Sequence, residues 1–139
     1  MTKEIFDIEQ KAVIVQVTVE VDGQINRLDF IVDTGSYETL LCEKTIRMIG
    51  YTPVDSIEDV QIQTVSGSGK AFRYVIEKIA ALGICRHNFK IISHQMPSGS
   101  GAHGLLGLDF FKNTRLTIDF DDEEIIVEHK NKSHKLSRI

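Results

Sequence analysis

Apolar and polar residues alternate with period two from Val15 to Val21: Val15, Val17, Val19 and Val21 fall on one side, Gln16, Thr18 and Glu20 on the other. That spacing predicts a half-buried strand, and the β-branched run from Ala12 extends it at the start. Asp22-Gly23 predicts a hairpin turn of the positive-φ kind, and Gln24 to Val32 the returning strand. The return ends abruptly. Phe30-Ile31-Val32 gives way to Asp33-Thr34-Gly35-Ser36, an acid, a hydroxyl, a glycine and a second hydroxyl. A carboxylate at the end of a buried strand is costly unless something hydrogen-bonds it or uses it.

The pattern continues with short elements. Leu40-Leu41 leads into a short helix from Glu43 to Ile49, with Gly50 at its C-terminal stop and Pro53 preventing resumption. Asp59 to Val65 predicts a strand with Val60 and Ile62 on one face. Ser66-Gly67-Ser68-Gly69 predicts a flexible tip, and Lys70 to Ile84 a long return, bent near Ala80-Ala81. Arg86-His87-Asn88 is expected to turn before a strand over Phe89 to Ile92. His94 to His103 forms a Gly- and Ser-rich loop, Leu105-Leu106-Gly107 a short apolar strand, and Leu108 to Lys112 one helical turn. Leu116 to Phe120 and Ile125 to Val127 make a last hairpin around Asp121-Asp122-Glu123. Many short strands with little helix predict an all-β domain, closed or sandwich-like.

Composition sharpens this. The chain has 139 residues with 42% hydrophobic and 26% charged content, the profile of one globular domain. No apolar run approaches the ~20 residues of a membrane span, and Met1 to Asp7 lacks the continuous apolar region of a signal peptide. The formal net charge of −4 argues against nucleic acid as the main partner. Residues 130–139 hold four Lys/Arg and no acid. This basic tail reads as a solvated terminus or as a docking element for an acidic surface, separate from a domain over 1–129. Cys42 and Cys85 lack metal or redox spacing. They allow one disulfide, but two buried free thiols are expected, which points weakly to a reducing, cytoplasmic setting.

At Asp33 the sequence resembles a known family. Val32-Asp33-Thr34-Gly35-Ser36 is similar to the active-site signature of aspartic proteases. Gly104-Leu105-Leu106-Gly107-Leu108-Asp109-Phe110-Phe111 is similar to that family's second apolar-apolar-Gly element. The hairpin from Gln61 to Tyr74, with its Ser66–Gly69 tip, sits where the family places its flap. Order and rough spacing agree over Val13 to Val127, in a chain of single-lobe size. The resemblance is to the retropepsin-like, retroviral-type members, bacterial or cellular. It implies a closed, acid-protease-type β barrel: one lobe, one or two short helices and a flap hairpin.

Peptide hydrolysis by carboxylates needs two of them about 3 Å apart around one water, one ionised and one protonated. The chain has one Asp-Thr-Gly, and Asp7, Asp22, Asp29, Asp109 and Asp119 lack the Thr-Gly that follows it. A dyad therefore requires two copies of Asp33 across a two-fold axis. The resemblance implies a homodimeric aspartic endopeptidase acting on polypeptide, favoured by acidic pH, with no cofactor or metal and no nucleic-acid or membrane partner. Asp33, Thr34, Gly35 and Ser36 would form the catalytic turn. Gly35 N–H would donate to the carboxylate, Thr34 would bond across the dimer axis, and Ser36 would donate to the outer oxygen of Asp33. Ser66, Gly67, Ser68 and Gly69 would form the flap over substrate, and Leu105, Leu106 and Gly107 would support the turn from behind. The alternative is a retropepsin-like domain that binds peptide or dimerises without cutting. For Asp33 alone, a strand-ending Asp that hydrogen-bonds its own turn also fits.

Other polar clusters point elsewhere. His87, His94, His103, His129 and His134 lack ligand spacing. Cys42 has no histidine in a motif beside it and reads as packed. Gly67-Ser68-Gly69-Lys70 lacks the spacing of a phosphate loop. Asp119 to Glu124 lacks the spacing and glycine of a calcium loop and reads as a solvated hairpin tip. The long loop from Ser93 to His103 reads as a surface loop or as a specificity or dimer-contact loop.

Overall fold

In a computed structural model that describes residues 1–64, 67–94 and 101–129, ten strands, one α-helix and two single turns of 3-10 helix (Ile8–Gln10 and Pro53–Asp55) follow one another among the described residues. The strands are β1 (Thr2–Ile5), β2 (Ile14–Val21), β3 (Gln24–Val32), β4 (Leu40–Cys42), β5 (Glu58–Thr64), β6 (Gly67–Ala81), β7 (Ile84–His94), β8 (Gly104–Leu106), β9 (Thr114–Asp119) and β10 (Glu124–His129). The helix, α1, spans Glu43–Met48. Among the described residues no helix is long and apolar enough to cross a membrane.

The strands form two sheets. A small sheet has the order β1-β10-β9, and a large one the order β2-β3-β8-β4-β7-β6-β5. A further pairing of β2 with β6, Thr18 opposite Ala80 and Glu20 opposite Lys78, joins six strands of the large sheet into a ring. The valines of β2 explain the inner face. Val15, Val17 and Val19 are at most 1% exposed, while Gln16 lies in solvent. They meet Phe30, Ile76, Ile79, Ile91, Leu106 and Phe110 in the core. Most of the large sheet is antiparallel, but β3 pairs with β8 in parallel, and so does β4 with β7. The β3–β8 contact, Val32 opposite Leu106, brings the ends of those two strands together, and with them the Asp33 turn and the Leu-Leu-Gly segment.

The structure departs from the pattern-based reading in five places. The turn after β6 falls at Leu82-Gly83, both with positive φ (54° and 76°), and β7 runs on through Arg86-His87-Asn88. Arg86 is tied to the segment before β9, because its guanidinium donates to the carbonyls of Phe110 and Lys112. Ser68 and Gly69 stand in the β5–β6 ladder opposite Gln63 and Ile62, so the tip is shorter than Ser66–Gly69; Ser66 lies outside the described residues. Leu108 to Lys112 forms consecutive tight turns, Phe110 N–H to Gly107 O and Phe111 N–H to Leu108 O, rather than an α-helical turn. The cysteines are free thiols but not buried: Cys42 is half-buried and Cys85 exposed, because it points outward from β7. β1, which the pattern did not suggest, pairs along β10 from Thr2 opposite Val127 to Ile5 opposite Glu124. The basic tail, 130–139, and residues 95–100 of the long loop lie outside the described residues.

Candidate active site

β3 delivers Asp33 at its C-terminal end, and the parallel neighbour β8 supplies the floor of the turn. Val32 N–H donates to the Val13 carbonyl (2.8 Å), and Asp33 N–H donates to the Leu106 carbonyl (2.9 Å). Gly35 N–H donates to Asp33 Oδ1 (3.0 Å), and Ser36 N–H to the Asp33 carbonyl (3.2 Å). The acid is thus held by its own turn, half-buried, with Thr34 exposed on the outer side. A Cβ on Gly35 would lie 3.2 Å from Asp33 Oδ1, so the bare glycine lets the backbone come close to the carboxylate.

Ser36 departs from expectation. Its hydroxyl donates to the Glu38 carbonyl (2.9 Å), not to Asp33, because the loop turns back on itself at Glu38. That fold is locked to the second element. Leu108 N–H donates to the Ser36 carbonyl and Asp109 N–H to the Tyr37 carbonyl, each at 2.9 Å. Gly107 has no room for a side chain: a Cβ there would sit 2.7 Å from the Glu38 backbone and 2.9 Å from Ser36 O. Leu106 is fully buried and Leu105 half-buried; Leu105 stands between Ile31 of β3 and Leu40 of β4.

Two residues not singled out from the sequence tie this layer together. Buried Thr39 donates its N–H and hydroxyl to the Asp109 carboxylate and accepts the Gly107 N–H on the same oxygen (3.1 Å). The signal for Asp109 is present in the sequence, as an isolated acid inside the apolar run Leu105 to Phe111.

The β5–β6 hairpin lies over the turn. Ser36, Tyr37, Glu38 and Leu40 on one side, and Ile62 and Gln63 on the other, enclose a cleft of about 300 Å3, with Ile92 and His94 of β7 along its length. Arg73 fastens the hairpin at its base. Its guanidinium bridges Glu38 of the turn and Glu58 of β5, each at 2.5 Å. The hydrogen bond that Arg73 donates to Glu38 outweighs the opposing effect of burial and raises the Arg73 pKa above its ordinary value. Gly67 and Ser68 are exposed and Gly69 half-buried near the end of this hairpin.

A strand-borne Asp-Thr-Gly turn, a glycine-packed second element and a hairpin across a cleft coincide with a family match. Residues 17–113 match the family model described as "gag-polyprotein putative aspartyl protease". The chain belongs to this aspartyl protease family. Its fold is similar to that in the crystal structure of a retropepsin-like aspartic protease from Rickettsia conorii, with a TM-score of 0.69 at 16% identity, covering 91% of this chain and 89% of that one. No curated protein matches the sequence.

The remaining polar clusters lie apart from the retropepsin-like turn. The carboxylates of Asp119, Asp122 and Glu124 come within 4.8 Å of one another in the β9–β10 turn. Asp119 Oδ1 accepts the N–H groups of Asp121 and Asp122 there, which is the ordinary work of an Asp in a hairpin turn. His103 Nδ1 accepts the Asp29 N–H (3.0 Å), a structural bond at the foot of β8.

Proposed function

We propose that the protein is a homodimeric aspartic endopeptidase, in which the Asp33 carboxylates of two copies share a proton and activate one water against a peptide carbonyl. The observation that carries this reading is the single Asp33 carboxylate, held at the end of β3 by Gly35 N–H on the turn whose Ser36, Tyr37 and Glu38 line a hairpin-covered cleft, in a chain of the aspartyl protease family. One such carboxylate cannot both accept a proton from water and donate one to the carbonyl oxygen; two within about 3 Å can. Thr34, Tyr37 (61% exposed) and Leu108 (45% exposed) border the turn, and they form the surface that a second copy would cover. In this reading Thr34 fixes the two turns against each other, and Gly35 and Ser36 complete the catalytic turn. Leu105, Leu106 and Gly107 support it, and the hairpin with Ser66, Gly67, Ser68 and Gly69 closes over an extended polypeptide and excludes water. The ring of strands is read as the closed acid-protease-type barrel of one lobe.

The test mixes proteins. Wild-type protein should cleave an unfolded polypeptide, and Asp33→Asn should not, with an unchanged circular dichroism spectrum. Excess Asp33→Asn added to wild type should suppress activity beyond simple dilution, since mixed dimers carry one carboxylate. Activity that survives Asp33→Asn, or resides in a strict monomer by sedimentation, would overturn the reading. Peptide binding without cleavage in the wild-type dimer would favour the non-cutting alternative.

A further inference from the structure

An open groove runs between the end of β1 and strands β2 and β3. Ile5, Phe6 and Ile14 supply its apolar lining and Asp7, Gln10 and Asp29 its polar lining, around a space of about 590 Å3. Ile5 is 78% exposed although it stands in a strand, opposite Glu124 of β10. The fold holds both carboxylates in place. Asp7 Oδ1 accepts the Glu9 N–H (3.0 Å), and Asp29 Oδ1 accepts from the side-chain amide of Gln16. Glu4 adds a third acid beside them, since its Oε2 accepts the Gln16 N–H (3.2 Å). At the same end of the small sheet, Glu123 Oε1 accepts the Ile8 N–H (3.0 Å). Among the described residues the ion pairs engage Glu20, Glu38, Glu43, Glu58 and Asp59, so neither Lys3 nor Lys11 pairs with Glu4, Asp7 or Asp29. A segment that fits this groove brings positive charge and apolar side chains together.

The chain carries such a segment. Residues 130–139, outside the described residues, hold Lys130, Lys132, Lys135 and Arg138 with no acid, and Leu136 and Ile139 among them. The other 129 residues hold 12 Lys/Arg against 20 Asp/Glu, so the segment opposes the charge of the body it leaves. Its reach is sufficient. It follows His129 at the end of β10, and β1 pairs along β10 from Thr2 opposite Val127 to Ile5 opposite Glu124. The groove therefore begins about five residues back along the strand, roughly 17 Å. Ten extended residues span about 33–36 Å. One reversal after His129 leaves Leu136 to Ile139 within range of Ile5. A tether this short holds the segment near its own groove at a local concentration on the order of millimolar, which favours the same copy over a second one.

We propose that residues 130–139 fold back on their own chain and dock in this groove, with Leu136 and Ile139 on its apolar lining and the basic side chains on Asp7 and Asp29. Asp29 also belongs to the support of the Asp33 turn. Its N–H donates to His103 Nδ1 (3.0 Å), and its carbonyl accepts the His103 N–H (2.8 Å), at the foot of β8. The docked segment thus braces β3 on the strand that delivers Asp33.

The test uses the full chain, 15N-labelled, in dilute solution. Backbone order parameters of Leu136, Arg138 and Ile139 should lie above about 0.6, the upper bound of a flexible segment. Asp7→Asn combined with Asp29→Asn removes both charges, while the amide oxygens still accept from Glu9 and Gln16. In that variant the three order parameters should fall below about 0.6. Lys135→Gln combined with Arg138→Gln should lower them from the other side and shift the amides of Asp7, Gln10 and Asp29, leaving those of Val17 and Ile79 in the core unmoved. Three results would overturn the proposal: a flexible tail in the wild type, tail order that survives both double variants, or tail order that grows with protein concentration, which would seat the segment on a second copy. None of these readouts uses Asp33, so they stand apart from the fate of the protease reading.

Discussion

Thr39 and Asp109, seventy residues apart, are joined by three hydrogen bonds: Thr39 Oγ1 donates to Asp109 Oδ1 at 2.7 Å, and Thr39 N–H reaches Oδ1 at 3.0 Å and Oδ2 at 3.1 Å. Thr39 is fully buried, and its carbonyl accepts the Ile92 N–H. The pair thus binds the Asp33 turn, the Leu-Leu-Gly element and β7 into one layer. Thr39→Val keeps the shape but leaves Asp109 and Gly107 N–H short of partners. We expect a loss of about 2–3 kcal/mol in denaturant unfolding, and a smaller loss for Asp109→Asn, whose amide oxygen still accepts.

The glycines of the site separate by what surrounds them. Gly107→Ala would drive a methyl to within 2.7 Å of the Glu38 backbone, which cannot yield without moving the turn. Its expected cost is about 3 kcal/mol or more, in the range of severe overpacking. Gly69→Ala meets only the Ile62 side chain at 3.6 Å, on a strand with ordinary φ. That substitution should leave the melting temperature unchanged or slightly raised, because alanine reduces the freedom of the unfolded chain. Thermal melts of the two variants side by side check both expectations.

Arg73 is the tether of the hairpin. Its side chain is 17% exposed, against 33% for Glu38 and 56% for Glu58, so the bond to Glu38 is the better shielded of the two. Arg73→Met keeps the packing of the stem but strands Glu38 without its cation. Hydrogen exchange at the β5 amides from Glu58 to Gln63 should accelerate several-fold, with about 1–2 kcal/mol lost globally. Arg73→Lys should recover only part of this, since one ammonium cannot reproduce the fork that spans both carboxylates.

Alkaline pH should weaken the fold through Tyr51 and Tyr74. Burial, first among the causes, raises both phenols above the ordinary value of 10.0, with Glu77 and Asp55 adding as the leading charges. A folded-state pKa above the unfolded one means that the unfolded chain releases its protons first. The contribution is therefore whole below pH 10 and is lost as pH rises through the folded values. Tyr51 in addition loses its donor to the Val75 carbonyl on ionising. Urea titrations between pH 9 and 11.5 should show the decline, and Tyr51→Phe should flatten it while lowering stability at pH 8 by about 1 kcal/mol.

Local chemistry made much of this architecture legible. The valine alternation of β2, the Asp22-Gly23 turn and the helix before Gly50 are encoded within a few residues of themselves, and each is found within two residues of its expected bounds. The misses depend on distant partners. β1 is four residues long and is a strand only because β10 is there to receive it, with Gly83 leaving room for the Thr2 side chain. The polar triplet Arg86-His87-Asn88 looks like a turn until the Phe110 and Lys112 carbonyls engage Arg86. Leu82, which does turn, adopts a positive φ that its side chain gives no reason to expect. At the candidate site the strand-ending Asp33 and its glycine were readable. The clasp of Thr39 on Asp109 was not, because neither residue carries a local sign of the other.

The floor beneath Asp33 has a consequence in time. Hairpins β2–β3 and β5–β6 close over short spans, whereas Asp29 and Asp33 find His103 and Leu106 only after more than seventy residues have been made and gathered in. Closing so long a span comes late, after the local hairpins have formed. A nascent chain can thus hold its Asp-Thr-Gly segment without a finished turn beneath it while some seventy further residues are made. Whatever chemistry the carboxylate performs stays latent until translation has passed Leu106 and the distant segment has folded back, a delay set by the path of the backbone and requiring no separate inhibitor.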